Sequence, residues 1–198
     1  MILQGNIRAN GAELAKHLLN DRQPDPYQES FRPFRVGNER VELAELRGFV
    51  ATDLAGAFGE VEAIATGTRC TKPLYSLSIN PSQPMNRDQY ARAVDRIEEK
   101  LGLTDQARAV VFHVKNGREH CHVVWSRIDH EQMKARHMEF DHQKLREVAR
   151  ELVREFGHDM PKHLGEDRGT DRFKEGFQQA TLASLSQEAR SGISPEER

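Results

Sequence analysis

Three histidines are spaced as His113, six residues, His120, one residue, His122. Imidazole nitrogen is a borderline-soft ligand that suits zinc, manganese, nickel or iron. Three protein ligands leave coordination positions open for a substrate, as in catalytic rather than structural sites. Their convergence depends on the chain between them. Asn116-Gly117 lies midway, flanked by the β-rich runs ARAVVFHVK and REHCHVVWS. Asn-Gly between such runs is the strongest short-range hairpin signal, because a type I′ turn needs positive φ at both central residues. That turn pairs Lys115 with Arg118, Val114 with Glu119 and His113 with His120. Directly opposed residues share a face, with Cβ atoms about 4.5–5.5 Å apart. His122, two residues on, returns to the same face. Parity sends Phe112, Cys121, Val123 and Trp125 to the other face. Cys121 is thereby excluded as a fourth ligand and reads as a small buried hydrophobe. A lone histidine is usually an ordinary polar residue. Three on one face of one hairpin are a cluster of potential cations with little structural use. His130, His137, His142, His158 and His163 show no convergent spacing.

The elements around the hairpin follow from periodicity. Asn10 to Asn20 reads as a short helix with Leu14, Ala15 and Leu18 on one face. Gln23 to Asn38 carries Pro24, Pro26, Pro33 and Gly37 among polar residues and reads as a mobile loop. Val41 to Phe49 is a candidate strand. Asp53 to Gly67 is helix-like, with Leu54, Ala57, Phe58, Val61 and Ile64 at helical spacing. Leu74 to Asn80 alternates as a strand does. Arg87 to Leu101 is amphipathic, with Tyr90, Val94, Ile97 and Leu101 inward and Gly102 closing it. Asp141 is the expected N-cap of a helix running to Phe156. The order helix, strand, helix, strand, helix, hairpin, helix predicts an α+β fold. It is a central, mostly antiparallel sheet with helices packed on it. From Gly165 onward the chain is polar, and one weak helix and a frayed tail are expected.

The chain has 198 residues, 37% hydrophobic and 30% charged, the balance of a globular domain with a polar surface. Its formal net charge is -2. A small dedicated DNA-binding module is usually more basic, but an enzyme that engages a strand in one groove needs only a local basic surface. No apolar run is long enough for a membrane span, and the N-terminus lacks the layout of a signal peptide. Two cysteines are too few for a disulfide framework. A cytoplasmic, reduced protein without membrane insertion is expected.

The pattern His-(six residues)-His-x-His on a hairpin resembles the metal motif of plasmid-mobilisation relaxases, the conjugative members of the HUH endonucleases. KPLYSLSINP ahead of the Arg87–Leu101 helix is similar to that family's central strand. RIEEKLGL followed by RAVVFH is similar to its helix-then-strand approach to the histidines, and the helix ending in REFG also fits. The resemblance covers residues 1–160. It implies a relaxase domain over residues 1–164 and a polar C-terminal extension over 165–198. It also implies metal-dependent, site- and strand-specific nicking and joining of single-stranded DNA at an origin of transfer. A side chain near the N-terminus attacks the phosphodiester, a 5′-phosphoryl–enzyme bond forms, and the 3′-hydroxyl is kept for rejoining. His113, His120 and His122 would hold a divalent metal: manganese, magnesium, zinc or nickel. A monomer working with accessory DNA-transfer proteins is expected.

This sequence departs from the family pattern at three places. The nucleophile is usually a tyrosine in a pattern like Leu-x-Lys-Tyr; here Leu14-Ala15-Lys16 precedes His17. A neutral imidazole can attack phosphorus, so His17 is a candidate, and Tyr27 in the proline-flanked loop is its rival. The acidic residue expected two positions after the first histidine is Lys115. The asparagine expected four positions after the last is Ser126, which can still donate a hydrogen bond. Without a carboxylate at 115, orientation of an imidazole falls to Glu42, Glu45 or Asp129. Lys115, Arg118, Arg127, Lys134 and Arg136 are candidates to neutralise phosphates. Arg32 and Arg35, interleaved with Phe31 and Phe34, suit stacking and charge contacts with single-stranded DNA, or alternatively a loop clamped by its two phenylalanines. Two rival readings stand beside the nickase: a non-catalytic DNA-binding accessory protein of the same fold, and an unrelated three-histidine metalloenzyme.

Overall fold

The computed structural model describes residues 1–19 and 40–165. Met1–Met160 forms one compact unit. Its strands are β1 (Ile2–Arg8), β2 (Arg40–Arg47), β3 (Leu74–Asn80), β4 (Arg108–Lys115), β5 (Arg118–Ser126), β6 (Ile128–Asp129) and β7 (Lys134–Ala135). Its helices are α1 (Gly11–Leu18), α2 (Leu54–Ala65), α3 (Arg87–Leu101) and α4 (Asp141–Glu155). Pro161 begins a second unit, whose described part is the short helix α5, Lys162–Gly165.

The main sheet runs β1-β3-β5-β4-β2, and every neighbouring pair is antiparallel. The fold is therefore α+β, as the element order predicts. A separate two-stranded ladder joins β6 to β7.

Strand parity divides the main sheet into two faces. On one face Leu74, Ala109, Val111 and Val124 join Leu14, Leu18, Leu54, Phe58 and Val61 of α1 and α2 in a buried core. On the other, Tyr90 of α3 meets Phe112 edge-on at 5.1 Å between ring centroids. Tyr75 of β3 reaches α4 and donates its hydroxyl to Asp141 at 2.9 Å. Arg92 and Arg96 of α3 are paired with Glu155 and Glu151 of α4.

The helix ends follow ordinary capping chemistry, with one exception. Asn10 and Asp53 accept backbone N–H groups at the starts of α1 and α2, and Asn86 with Gln89 forms a capping box on α3. At α4 the cap position falls to Phe140, at φ 55 with no side-chain cap, and not to Asp141. Asp141 is the first residue of the helix and accepts the Tyr75 hydroxyl on one oxygen. Its second oxygen accepts the His142 N–H at 2.8 Å, so one carboxylate serves both the first turn of α4 and the tertiary bond. Strand β1 carries no sequence signal as clear as the others. Leu3, Gly5 and Ile7 share the face of Tyr75, with Gly5 buried and Ile7 exposed, while Gln4, Asn6 and Arg8 share the face of His122.

Candidate metal centre

The β4–β5 hairpin has the register that Asn116-Gly117 dictates. Lys115 pairs with Arg118, Val114 with Glu119 and His113 with His120. Asn116 and Gly117 both have positive φ, 51° and 68°. His122 sits opposite Val111, on the same face as His113 and His120. Ring centroids of the three imidazoles lie 4.7–5.3 Å apart. One nitrogen from each falls within 4.8 Å of the others, close enough to share an ion, and among the described residues this is the cluster with that property. Cys121 points into the opposite core, fully buried, with its thiol pushed up by desolvation.

The electrostatics suit ligation. Burial, and after it the neighbouring His113, His120 and His17, push the His122 pKa down to about 3. Burial also lowers His113, with the Leu18 bond opposing and His120 and His17 adding. His120 is lowered by burial and further by Lys115 and Arg118. All three are therefore neutral at pH 7, each with a lone pair to give. The donor set fits a divalent ion: three neutral imidazoles, converged and partly shielded from water.

The imidazoles are not oriented by any of the carboxylates expected for the task. Glu42 and Glu45 sit opposite Phe112 and Val110, on the far face of the sheet, where they pair with Arg87 and Arg108. Asp129 accepts from Gln132 and Arg136. The orienting group is a backbone carbonyl: His113 Nε2 lies 2.6 Å from Leu18 O. A carbonyl can only accept, so this nitrogen carries the proton and Nδ1 keeps the lone pair. No side-chain pattern could reveal this contact, which joins residues ninety-five apart.

Helix α1 delivers that carbonyl, and with it His17. The helix is held by Leu14, Ala15 and Leu18 in the core and by a 2.6 Å bond from Gly11 N–H to Glu62 of α2. His17 is exposed in its last turn. His17 and His122 line one cleft of about 150 Å³, together with Gln4, Asn6, Ser76 and Ser78.

The other expected residues are distributed more widely. Lys115 is exposed at the hairpin tip, and Arg118 beside it donates to Pro81 O at 3.1 Å. Ser126 lies four residues past His122, about 13 Å along the strand. It is buried, and its hydroxyl accepts the Ile128 N–H. The Arg127 guanidinium is spent on the carbonyls of Lys72 and Arg136. Tyr75 is a fully buried residue of β3, its phenol pKa raised by desolvation and by Asp141. Tyr27, Arg32, Arg35 and the Phe31/Phe34 pair lie outside the described residues. No helix among the described residues is long and apolar enough to cross a membrane.

Comparison with known proteins agrees with this geometry. The family model for the relaxase MobA/VirD2-like nuclease domain matches residues 30–158. No curated protein and no solved structure matches the chain. The matched span contains all three histidines and most of the sheet that presents them, while His17 and Tyr27 precede it. A converged histidine triad on an antiparallel sheet, inside the span that the nuclease domain matches, makes this chain a member of the MobA/VirD2-like relaxase family.

Proposed function

We propose that this domain nicks and rejoins single-stranded DNA site-specifically, using a divalent metal on His113, His120 and His122 and His17 as the attacking group. The observation that carries the reading is the cleft shared by His17 and His122. A candidate nucleophile and a candidate metal ligand face one cleft.

A divalent ion held by the three histidines would supply Lewis-acid polarisation of a phosphoryl oxygen. The chain's own residues do the rest. A nitrogen of the neutral His17 ring attacks phosphorus, and a P–N bond forms as the P–O3′ bond breaks. The proton that the imidazole sheds ends on the departing 3′-oxygen. The 5′-phosphoryl group stays on the enzyme, and reversal by the same hydroxyl rejoins the strand. The Leu18 carbonyl holds His113 in the tautomer that leaves Nδ1 unprotonated. Lys115 and Arg118, at the hairpin tip, neutralise backbone phosphates. Such a nick at an origin of transfer starts conjugative transfer or mobilisation, with accessory DNA-transfer proteins as partners and the domain acting as a monomer.

A second reading is favoured by one specific feature, the histidine standing where the family's tyrosine is expected. A non-catalytic relative would keep the fold and bind DNA as an accessory protein. Incubation of the full chain with single-stranded oligonucleotides and manganese, followed by mass spectrometry, separates the two. A covalent adduct is expected, acid-labile as a P–N bond is, lost in His17→Ala and kept in Tyr27→Phe. An adduct that survives His17→Ala removes His17 from the reaction, and its loss in Tyr27→Phe assigns the role to Tyr27. Strand binding with no adduct in the wild type supports the accessory protein.

A further inference from the structure

Gln4, Asn6 and Arg8 of β1, with Ser76 and Ser78 of β3, share the sheet face that carries the histidines. The register sets Gln4 opposite Ser78 and Ser78 opposite His122; one row over, Asn6 is opposite Ser76 and Ser76 opposite Val124. The apolar core under α1 and α2 draws on β4, β5 and Leu74 of β3, and takes nothing from β1. A half-solvated antiparallel sheet ordinarily presents mixed polar and charged residues to water. These residues differ in two respects. Apart from Arg8 they are uncharged, and α1 walls them into the cleft that His17 and His122 also line. A second cleft, of about 340 Å³, shares Arg8, Leu14 and His17 with the first and extends past Asn10 and Glu13. Both clefts lie against α1, and His17 lines each.

We infer that this face of β1 and β3 is a base-reading floor: Gln4, Asn6, Ser76 and Ser78 hydrogen-bond the edges of consecutive bases next to the scissile phosphate, and Arg8 takes a phosphate at one end. The inference rests on the single-strand reading above. A side-chain amide carries a donor and an acceptor side by side, and a serine hydroxyl does either job. That is the complement of a base edge, where amides make paired hydrogen bonds, and single-stranded bases leave those edges unpaired. A phosphate-binding floor would need cations, and only Arg8 provides one. The floor therefore sets which sequence is bound, while Arg8 and the hairpin-tip cations set how tightly any strand is bound and how steeply salt weakens it. The floor also has continuity with the chemistry, since Ser78 is the direct neighbour of His122.

The test uses the full chain with manganese and a randomised single-stranded oligonucleotide library, partitioned on protein and sequenced. The wild type is expected to enrich a short motif. In the double variant Gln4→Ala/Asn6→Ala, preference at two or three adjacent positions falls about ten-fold or more. The slope of log K against log salt stays unchanged in that variant. Arg8→Ala keeps the motif and lowers that slope by about 0.7, the loss of one phosphate contact to a single strand. Gln4 and Asn6 are exposed, so an unchanged thermal melt separates lost contacts from lost folding. A wild-type motif that persists in the double variant overturns the floor and leaves the nickase reading standing. So does a uniform loss of affinity with a shallower salt slope, because the floor would then contact backbone. A wild type that enriches no sequence and binds no single strand overturns both.

Discussion

His122 sits where a proton is costly. Burial and the neighbouring imidazoles hold its pKa at about 3, against an ordinary 6.5. The unfolded chain takes up that proton as the pH falls through about 6.5, the folded chain only near pH 3. Between those limits the unfolded state binds more protons, so stability is full above the upper limit and is lost on acidification toward the lower. His113 and His120, shifted the same way, steepen the loss. The metal-free protein is therefore expected to melt at steadily lower temperature from about pH 7 to about pH 4.5, and His122→Asn to flatten the profile. Thermal melts in matched buffers measure it, and a profile that His122→Asn leaves unchanged rejects the assignment. The same residues govern ligation. Loss of a group that merely orients a ligand costs about 10–100-fold in metal affinity, and His120→Ala removes a ligand itself. Zinc or manganese affinity by competition with a chromophoric chelator should fall by at least about 100-fold. Unchanged metal content in that variant would reject the triad as the site.

The hairpin is the element on which the triad depends. Its register brings the histidines together, and a slip of one residue would send one strand's histidines to the opposite face. Gly117 at φ 68° and Asn116 at φ 51° set that register. Gly117→Val puts a β-branched residue into the left-handed region, at a cost of about 1–3 kcal/mol. Urea denaturation should show that loss together with weaker metal binding; a stable variant with full affinity would show that the turn does not control the site. The hairpin was legible in the sequence because its pairing is local arithmetic counted outward from two residues. The strand Leu74–Asn80 and the helix Arg87–Leu101 were legible for a related reason, their periodicity being carried within the segment. Strand β1 was not. One face is polar, and the other includes Gly5, whose role appears only in the fold. A Cβ on Gly5 would lie 1.9 Å from the Tyr75 hydroxyl, which is itself fixed by Asp141. The Tyr75 bond to Asp141 joins residues 66 apart and is equally invisible to local pattern. Gly5→Ala should cost about 1–3 kcal/mol by overpacking, with partial recovery on adding Tyr75→Phe. Simple additivity of the two variants in urea melts would break the proposed coupling.

At the scale of the whole molecule the centre is a product of the completed fold. Leu18, near the chain start, must meet His113 across most of the domain's sequence, so metal binding reports a folded sheet with α1 docked on it. The opposite face holds the same strands by a different device. Arg108, on the strand that carries His113, makes a two-armed bond to Glu45 at 2.9 and 3.0 Å and reaches Asp95 and Glu98 of α3. Arg47 of β2 also pairs with Glu98. Arg108 and Glu98 are both buried, 8% and 4% exposed. Removing one member of such a network leaves a buried charge short of partners, which costs about 3–5 kcal/mol, whereas an apolar replacement of both can be near neutral. Arg108→Met is therefore expected to lose about 3 kcal/mol in urea denaturation, and Arg108→Met/Glu98→Leu to recover most of it. Because this network and the histidines occupy opposite faces, their contributions should add. Manganese at about 100 times its Kd should stabilise wild type and Arg108→Met alike, by about 2.7 kcal/mol. A metal increment that shrinks in Arg108→Met would show that the ion network on the far face helps shape the histidine cluster, and that the two faces of the sheet are energetically one site.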